Sequence, residues 1–412
     1  MPVDLVRDLI ARWPDPDAKD VPLLRQAGIS AVLLEKPDRP FADACRAAGL
    51  QTLLAEELQW ATAGSVDAPP GSKPLVLSEG LWPGIARDPA VAGRDVEVAS
   101  ASRDPWIEIN AHWIAYLRAL HPTRPALLGY KPDLGSRAVP FDSLELALIE
   151  ARSFGGNYLL AVEPVYRQGL TGGDAKALAA WSQLGRTARW LREHDSLFGQ
   201  AILPVVTQLV EPGDETPEFA KLMYRRNVSP ALESAARLGP PDPRRLLLAA
   251  VALKAPGDGL RKRLLAHTES GTSVVVDGPG WPTAGLRLLR KDEDRDIFEA
   301  GKGRLIAYRE SIADPSEFAL DAIDLVTHNR RAVRVWNAPS VVALATGRGV
   351  LQCINYGSPI KVEIQVRMQG AFTGATLLRP EAAPAELKVA RRGTTSEVFL
   401  PELRRLAVVV FR

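Results

Sequence analysis

Along the first half of the chain, short apolar runs alternate with stretches whose apolar positions recur at helical spacing. VPLLRQAG reads as a short helix closed by Gly28, and ISAVLLE as the strand after it. FADACRAAG, ended by Gly49, and LQTLLAEE repeat the unit. PLVLSEG has the pattern of a buried strand and DVEVAS that of a weaker one. PWIEINAHWIAYLRALHP predicts a helix stopped by Pro122, followed by the strand PALLGYKP. SLELALIEARSFGG and NYLLAVEP form the next pair, and the long helix DAKALAAWSQLGRTARWLREHD precedes a further strand in QAILPVVTQLV. Such alternation implies a parallel sheet whose ligands sit beyond the strand C-termini. The count reaches about seven strands where a (β/α)8 barrel needs eight, and VDLVRDLIARW is a poor first strand. The pattern predicts an α/β fold built on a TIM barrel, complete or degenerate, with a doubly wound open sheet as the alternative.

The pattern changes twice further on. From about residue 213 to 330 the alternation continues around Gly-rich turns: a helix at EFAKLMYRRN, a strand in RRLLLAAVAL, a helix at DGLRKRLLAHTESG and a strand in TSVVVDG. A charged loop, RKDEDRDIFEAGKG, then leads to the strand RLIAYRE and the helix SEFALDAIDLVTHN. From 331 to 412 only strand-like runs remain, with glycines near the turns, which predicts an all-β sandwich. The expected domains are therefore 1–212, 213–330 and 331–412, in keeping with a length of 412 residues.

Composition narrows the function classes. The 51 basic and 49 acidic residues are interspersed, leaving no electrostatic footprint for nucleic acid or an anionic membrane. Cys45 and Cys353 lie in apolar surroundings in different segments and read as buried thiols, not a disulfide. The N-terminus has acidic residues throughout and no signal-type apolar run, so the sequence as given reads as cytoplasmic, or extracytoplasmic if a leader has been removed. The five histidines have no ligand spacing, and HExxH, GxSxG and Walker A motifs are absent, so neither a metal nor a cofactor is expected.

The segments HTESGTSVVVDGPGW and GKGRLIAY, set between a barrel and a sandwich, give the chain a family likeness. It resembles the β-galactosidases that trimerise through an amidotransferase-like middle domain, and the glycosidase-like barrels related to them. The resemblance implies a carbohydrate substrate and self-association. It also implies an acid/base Glu after an Asn on the fourth barrel strand, and a nucleophile Glu ending the seventh. Here the fourth-strand candidate reads LSEG, with Ser78 in the Asn position. The middle segment has no cysteine, so a glutaminase activity is not expected there.

Glycoside hydrolysis needs two carboxyl groups flanking one bond. Glu163 follows the strand NYLLAV directly, and Pro164 prevents that strand from continuing. Glu79 ends PLVLS beside Trp82, a candidate apolar wall and stacking platform for a sugar ring. Glu35 and Asp133 are further strand-end carboxylates; Tyr130, Lys131, Tyr166, Arg167, Asn110 and His112 are candidate lining residues. Glu145 and Glu150 share a helix and read as solvated or paired with Arg152. Asp277 reads as a turn-forming Asp before Gly278, with Trp281 nearby as a candidate sugar contact. The leading reading is a glycoside hydrolase with Glu163 as nucleophile or base and Glu79 as general acid. The competing one is a decayed barrel that binds carbohydrate or serves in assembly. A barrel lyase or isomerase using Lys131 as base is a third.

Overall fold

The computed structural model describes residues 3–67, 73–85, 87–88, 96–97, 105–130, 140–254, 257–281, 283–326 and 330–412. The chain divides into two compact units, Met1–Gln200 with Pro380–Ala382, and Ala201–Arg379 with Ala383–Arg412.

In the first unit strands and helices follow in the order β1 (Ile10–Arg12), α1 (Val21–Gln26), β2 (Ala31–Leu34), α2 (Arg39–Ala47), β3 (Gln51–Leu54), β4 (Gln59–Ala61), β5 (Leu75–Leu77), α3 (Ala111–Leu120), β6 (Leu127–Gly129), α4 (Ser143–Ser153), β7 (Asn157–Ala161), α5 (Pro164–Thr171) and α6 (Ala175–Glu193). The helix boundaries are set locally. The Asp38 carboxylate caps α2 by accepting from Phe41 N at 3.0 Å, and Asp174 caps α6 by accepting from Lys176 N and Ala177 N. Gly28 and Gly49 end the first two helices at φ +71 and +80, where a side chain would be strained.

The seven strands form one parallel sheet in the order β3-β2-β1-β7-β6-β5-β4. The first strand pairs with the second (Ile10↔Ala31) and also with the last (Ala11↔Leu160). This is chain order read around a ring and cut once, between β3 and β4. A doubly wound sheet would instead place β1 beside its fourth strand, so the open-sheet alternative does not hold. The sheet is curled and TIM-barrel-like. Its interior confirms the curl: Ile10, Ala31, Leu33, Val76, Leu127 and Leu159 share one core cluster, with Leu53 and Trp60 packed against it, so every strand contributes.

Three readings of this region are corrected. The strand in QAILPVVTQLV spans Val206–Val210 and pairs within the second unit, not in the barrel. Its place in the count is taken by β4, whose three residues follow a 3-10 turn at Ala55–Glu57 and are too few to carry a period. All eleven residues of α4 are buried, Glu145 and Glu150 included. Glu145 accepts from Thr187 and Gln183, Glu150 from Asn110 and Ala111, and Arg152 pairs with Asp195. Neither glutamate is solvated, and the partner of Arg152 is Asp195. Of DVEVAS, the described residues Val96–Glu97 pair with Arg87–Asp88 and not with the barrel sheet.

The second unit begins with β8 (Val206–Val210), α7 (Glu215–Arg225), β9 (Ala231–Ser234), β10 (Leu247–Ala250), α8 (Asp258–Glu269), β11 (Ser273–Val276), β12 (Arg287–Lys291), β13 (Arg295–Ala300), β14 (Gly303–Tyr308) and α9 (Pro315–Leu325). Its sheet order is β9-β8-β10-β11-β14-β13-β12, parallel as far as β14 and antiparallel beyond. The charged stretch expected as a loop is thus largely the β12–β13 hairpin, laced by the Arg287–Glu299 ion pair. Charges on both faces of an exposed edge hide a strand pattern. Asp277 does more than form a turn. Its carboxylate accepts from Ala252 N at 3.0 Å and Ile312 N at 3.1 Å, clipping the loops after β10 and β14. Burial raises its pKa despite those donors. Trp281 donates to the Asp277 carbonyl and packs on the core beneath this sheet.

The rest of the unit is a β-sandwich of β15 (Val333–Val335), β16 (Val341–Ala345), β17 (Val350–Asn355), β18 (Ile364–Gln369), β19 (Ala375–Arg379), β20 (Ala382–Leu387), β21 (Ala390–Arg392), β22 (Thr395–Leu400) and β23 (Leu406–Phe411). The two sheets run β15-β18-β22-β21 and β16-β17-β23-β19-β20, with antiparallel pairing. The strict in–out alternation of β18 is the one-sided burial that such packing requires.

Both cysteines are fully buried and unpaired. Burial pushes the Cys45 thiol up to about 11 and the Cys353 thiol up to about 12. A thiol-reactive chromophore at pH 8 is therefore expected to label neither cysteine in the folded chain and both in strong denaturant; rapid native labelling would contradict this packing.

Candidate active site

Parallel strands deliver their C-terminal residues to one end of a barrel. Arg12 ends β1, Glu35 follows β2, Glu79 lies two residues past β5, Tyr130 follows β6 and Glu163 lies two residues past β7. A cavity of about 420 Å³ opens at this end, lined by Arg12, Trp13, Glu35, Asp38, Val162 and Pro164 among others.

Glu163 is 8% exposed and stands in extended conformation at the N-cap of α5, which Pro164 starts. Trp82 Nε1 donates to Glu163 Oε1 at 3.3 Å. The Trp82 ring lies 5.1 Å from Tyr130 and 6.0 Å from Tyr158, both tilted. Three of the sequence-derived candidates, Trp82, Tyr130 and Glu163, thus meet, although the last is 81 residues from the first.

What holds Trp82 there is a buried polar chain. The Glu150 carboxylate accepts from Asn110 N at 2.7 Å, Asn110 Nδ2 at 3.1 Å and Ala111 N at 2.9 Å, satisfying the exposed amides at the start of α3. Asn110 in turn pairs with both sides of Leu81, accepting from its N–H at 2.8 Å and donating to its carbonyl at 2.9 Å. Tyr158 Oη donates to the same carbonyl at 3.0 Å, and burial beside Glu150 raises its pKa. Asn110 is therefore a positioning residue for the Leu81–Trp82 segment. Tyr158 and Glu150 were not singled out for the site by sequence. Their signal is a polar group inside an otherwise apolar strand or helix.

The other candidates are placed differently. Glu79 Oε1 accepts from Ala63 N at 3.2 Å, just beyond β4. Its strand is the fifth around the sheet, not the fourth, and β6 separates it from β7. Two strand spacings are roughly 10 Å, and the bond to Ala63 turns Glu79 towards the side away from β7. Glu35 is exposed and pairs with Arg12 at 2.7 Å. Arg167 pairs at 2.8 Å with Asp20, which also accepts from Trp13 Nε1 at 2.9 Å. Tyr166 is buried: it stacks on Phe141 at 4.6 Å and donates to the Ala177 carbonyl, and burial raises its pKa. Pro164 starts a helix at once, so Tyr166 and Arg167 rotate away from the Glu163 direction. His112 is buried against Trp113. Asp133 and Lys131 lie outside the described residues. Among the described residues no helix is long and apolar enough to cross a membrane, and no three His, Cys, Asp or Glu side chains converge as a metal site.

Solved structures resemble the whole chain. α-L-Fucosidase isoenzyme 2 from Paenibacillus thiaminolyticus matches at TM-score 0.56 and 10% identity, covering 99% of each chain. A β-galactosidase from Bacillus circulans sp. alkalophilus matches at 0.51 and 8% identity, covering 98% of this chain and 99% of that one. This chain has a glycoside-hydrolase-like fold. A catalytic mutant of Gan42B, a GH42 β-galactosidase from G. stearothermophilus, shares it at TM-score 0.50 and 11% identity, covering 91% of this chain and 67% of that one. No family model matches the sequence, and no curated protein matches it.

In this glycosidase-like barrel Gly80 sits where a Cβ would lie 2.6 Å from the Gly129 carbonyl and 2.9 Å from Tyr158 Oη. Gly80→Ala is expected to cost about 1–3 kcal/mol, read as a lower urea midpoint, and to change tryptophan fluorescence as Trp82 shifts. An unchanged midpoint would contradict the close approach of β5 and β6.

Proposed function

We propose that this chain binds a carbohydrate at the C-terminal end of its barrel and hydrolyses an O-glycosidic bond there. The observation that carries the reading is Glu163, a buried carboxylate just past the seventh strand that accepts from Trp82 beside the Tyr130 ring. Aromatic faces suit the apolar faces of a pyranose, and a carboxylate among them suits an oxocarbenium-like centre. The Trp82 N–H fixes one oxygen of Glu163 at the N-cap of α5, holding the carboxylate at the strand end as a nucleophile or base requires. Glu79 is the general acid in this reading. The neighbours in fold include a fucosidase and β-galactosidases, which supports the substrate class and leaves the sugar open.

One observation favours a second reading, a barrel that binds sugar without turnover. A retaining pair stands about 5–5.5 Å apart and an inverting pair about 6.5–9.5 Å. The bond from the Ala63 N–H draws the Glu79 carboxylate towards β4, away from the β7 side where its partner would have to stand.

Rates with a panel of aryl glycosides decide between them. Hydrolysis by the native chain, reduced at least about 100-fold in Glu163→Gln and in Glu79→Gln, is the expected outcome. Equal rates in Glu163→Gln would remove that residue from the chemistry. Calorimetric sugar binding with no turnover of any glycoside, lost in Trp82→Ala, would establish the second reading.

A further inference from the structure

A larger cavity, about 940 Å³, lies within the second unit and shares no lining residue with the cavity of the first. Four arginines line it: Arg244 before β10, Arg330 after α9, Arg348 in the β16–β17 turn and Arg391 on β21. All four are exposed, and no carboxylate is among the described lining residues. Arg244 is held by Asp242 at 2.7 Å. The guanidinium groups of Arg330, Arg348 and Arg391 make no ion pair or hydrogen bond with any described residue.

Like charges gathered in one concavity repel, and nothing in the surrounding packing calls for them. They suit a ligand carrying several oxyanions, since each guanidinium presents a planar fork of donors to a carboxylate or sulfate. Two further features narrow the ligand. Gln369, at the end of β18, lines the cavity, and its Oε1 lies just beneath the surface without a hydrogen-bond partner, so that a rotation of the amide brings it to a ligand hydroxyl. The Phe372 ring lies on the wall, seated against Gly370 and Gly349, where any Cβ would crowd it. Oxyanion receptors, an acceptor awaiting an O–H and an aromatic ring together describe an acidic sugar better than a bare phosphate.

We infer that this cavity is a second binding site, taking an acidic oligosaccharide whose charge is carried by carboxylates or sulfates. The site goes beyond the barrel reading and does not depend on it.

Calorimetry on the full chain tests this with oligogalacturonate, a heparin-derived oligosaccharide, neutral maltohexaose and inorganic polyphosphate. At least one acidic oligosaccharide is expected to bind, in a salt-sensitive manner, tenfold or more tightly than maltohexaose; which one binds separates the carboxylate from the sulfate source. Arg348→Glu with Arg391→Glu is expected to weaken that binding at least tenfold with an unchanged Tm, because both side chains are exposed and without partners. Gln369→Leu should weaken the oligosaccharide and leave polyphosphate unaffected, and Glu163→Gln should leave the oligosaccharide unaffected. The inference is overturned if neither acidic oligosaccharide binds, if the double charge reversal leaves affinity unchanged, if Glu163→Gln abolishes binding, or if polyphosphate binds as tightly as the oligosaccharide.

Discussion

Inside α4 the Glu150 carboxylate, with no exposure to solvent, accepts from the backbone and side chain of Asn110 and from the backbone of Ala111. A buried carboxyl group is tolerable only where donors surround it, and the amides at the start of α3 are such donors. Because Asn110 is fixed to Glu150 at two points, through its backbone N–H and its Nδ2, it can present both hydrogen-bonding ends of its amide to Leu81. Trp82 is the next residue, and its indole reaches Glu163 across the mouth. Helix α4, the start of α3, the loop after β5 and the end of β7 are thus joined by one polar thread through the first unit. Removing the Glu150 carboxyl group would leave several donors unsatisfied at once, a loss felt at Trp82 through Asn110 and Leu81.

Strand-end logic reached part of this from sequence. Glu163 before Pro164 and Trp82 after Glu79 were legible because a proline stops a strand and glycine-flanked acids fall where strands end. The repeating helix and strand patterns also implied the parallel sheet. What sequence could not show was partnership at a distance. Glu150 was read through its neighbour Arg152, yet its ligands lie 39 and 40 residues away. Arg167 was read as lining the site near Glu163, four positions off, yet it binds Asp20, 147 residues away. Local spacing predicts which residues share a face and is silent on what packs against that face.

Short strands and charged strands were the other gaps. β4 contributes only Gln59–Ala61 to its ladder, and β12 exposes every one of its five residues, so neither carries the apolar alternation on which recognition depends. The likeness to glycosidase structures at 8–11% identity has the same origin. The order of apolar runs is preserved far more readily than the residues between them, so shared architecture and shared chemistry have to be argued separately.

The break in the barrel ring has a mechanical meaning. Every other pair of adjacent strands is clamped by main-chain bonds, whereas among the described residues the β3–β4 boundary has no ladder and is bridged by contacts such as Trp60 Nε1 to the Ala55 carbonyl. Widening the cylinder therefore costs least along that seam. Such breathing would carry β4 and β5 as one flap relative to β7, moving Glu79 together with the Ala63 amide that holds it.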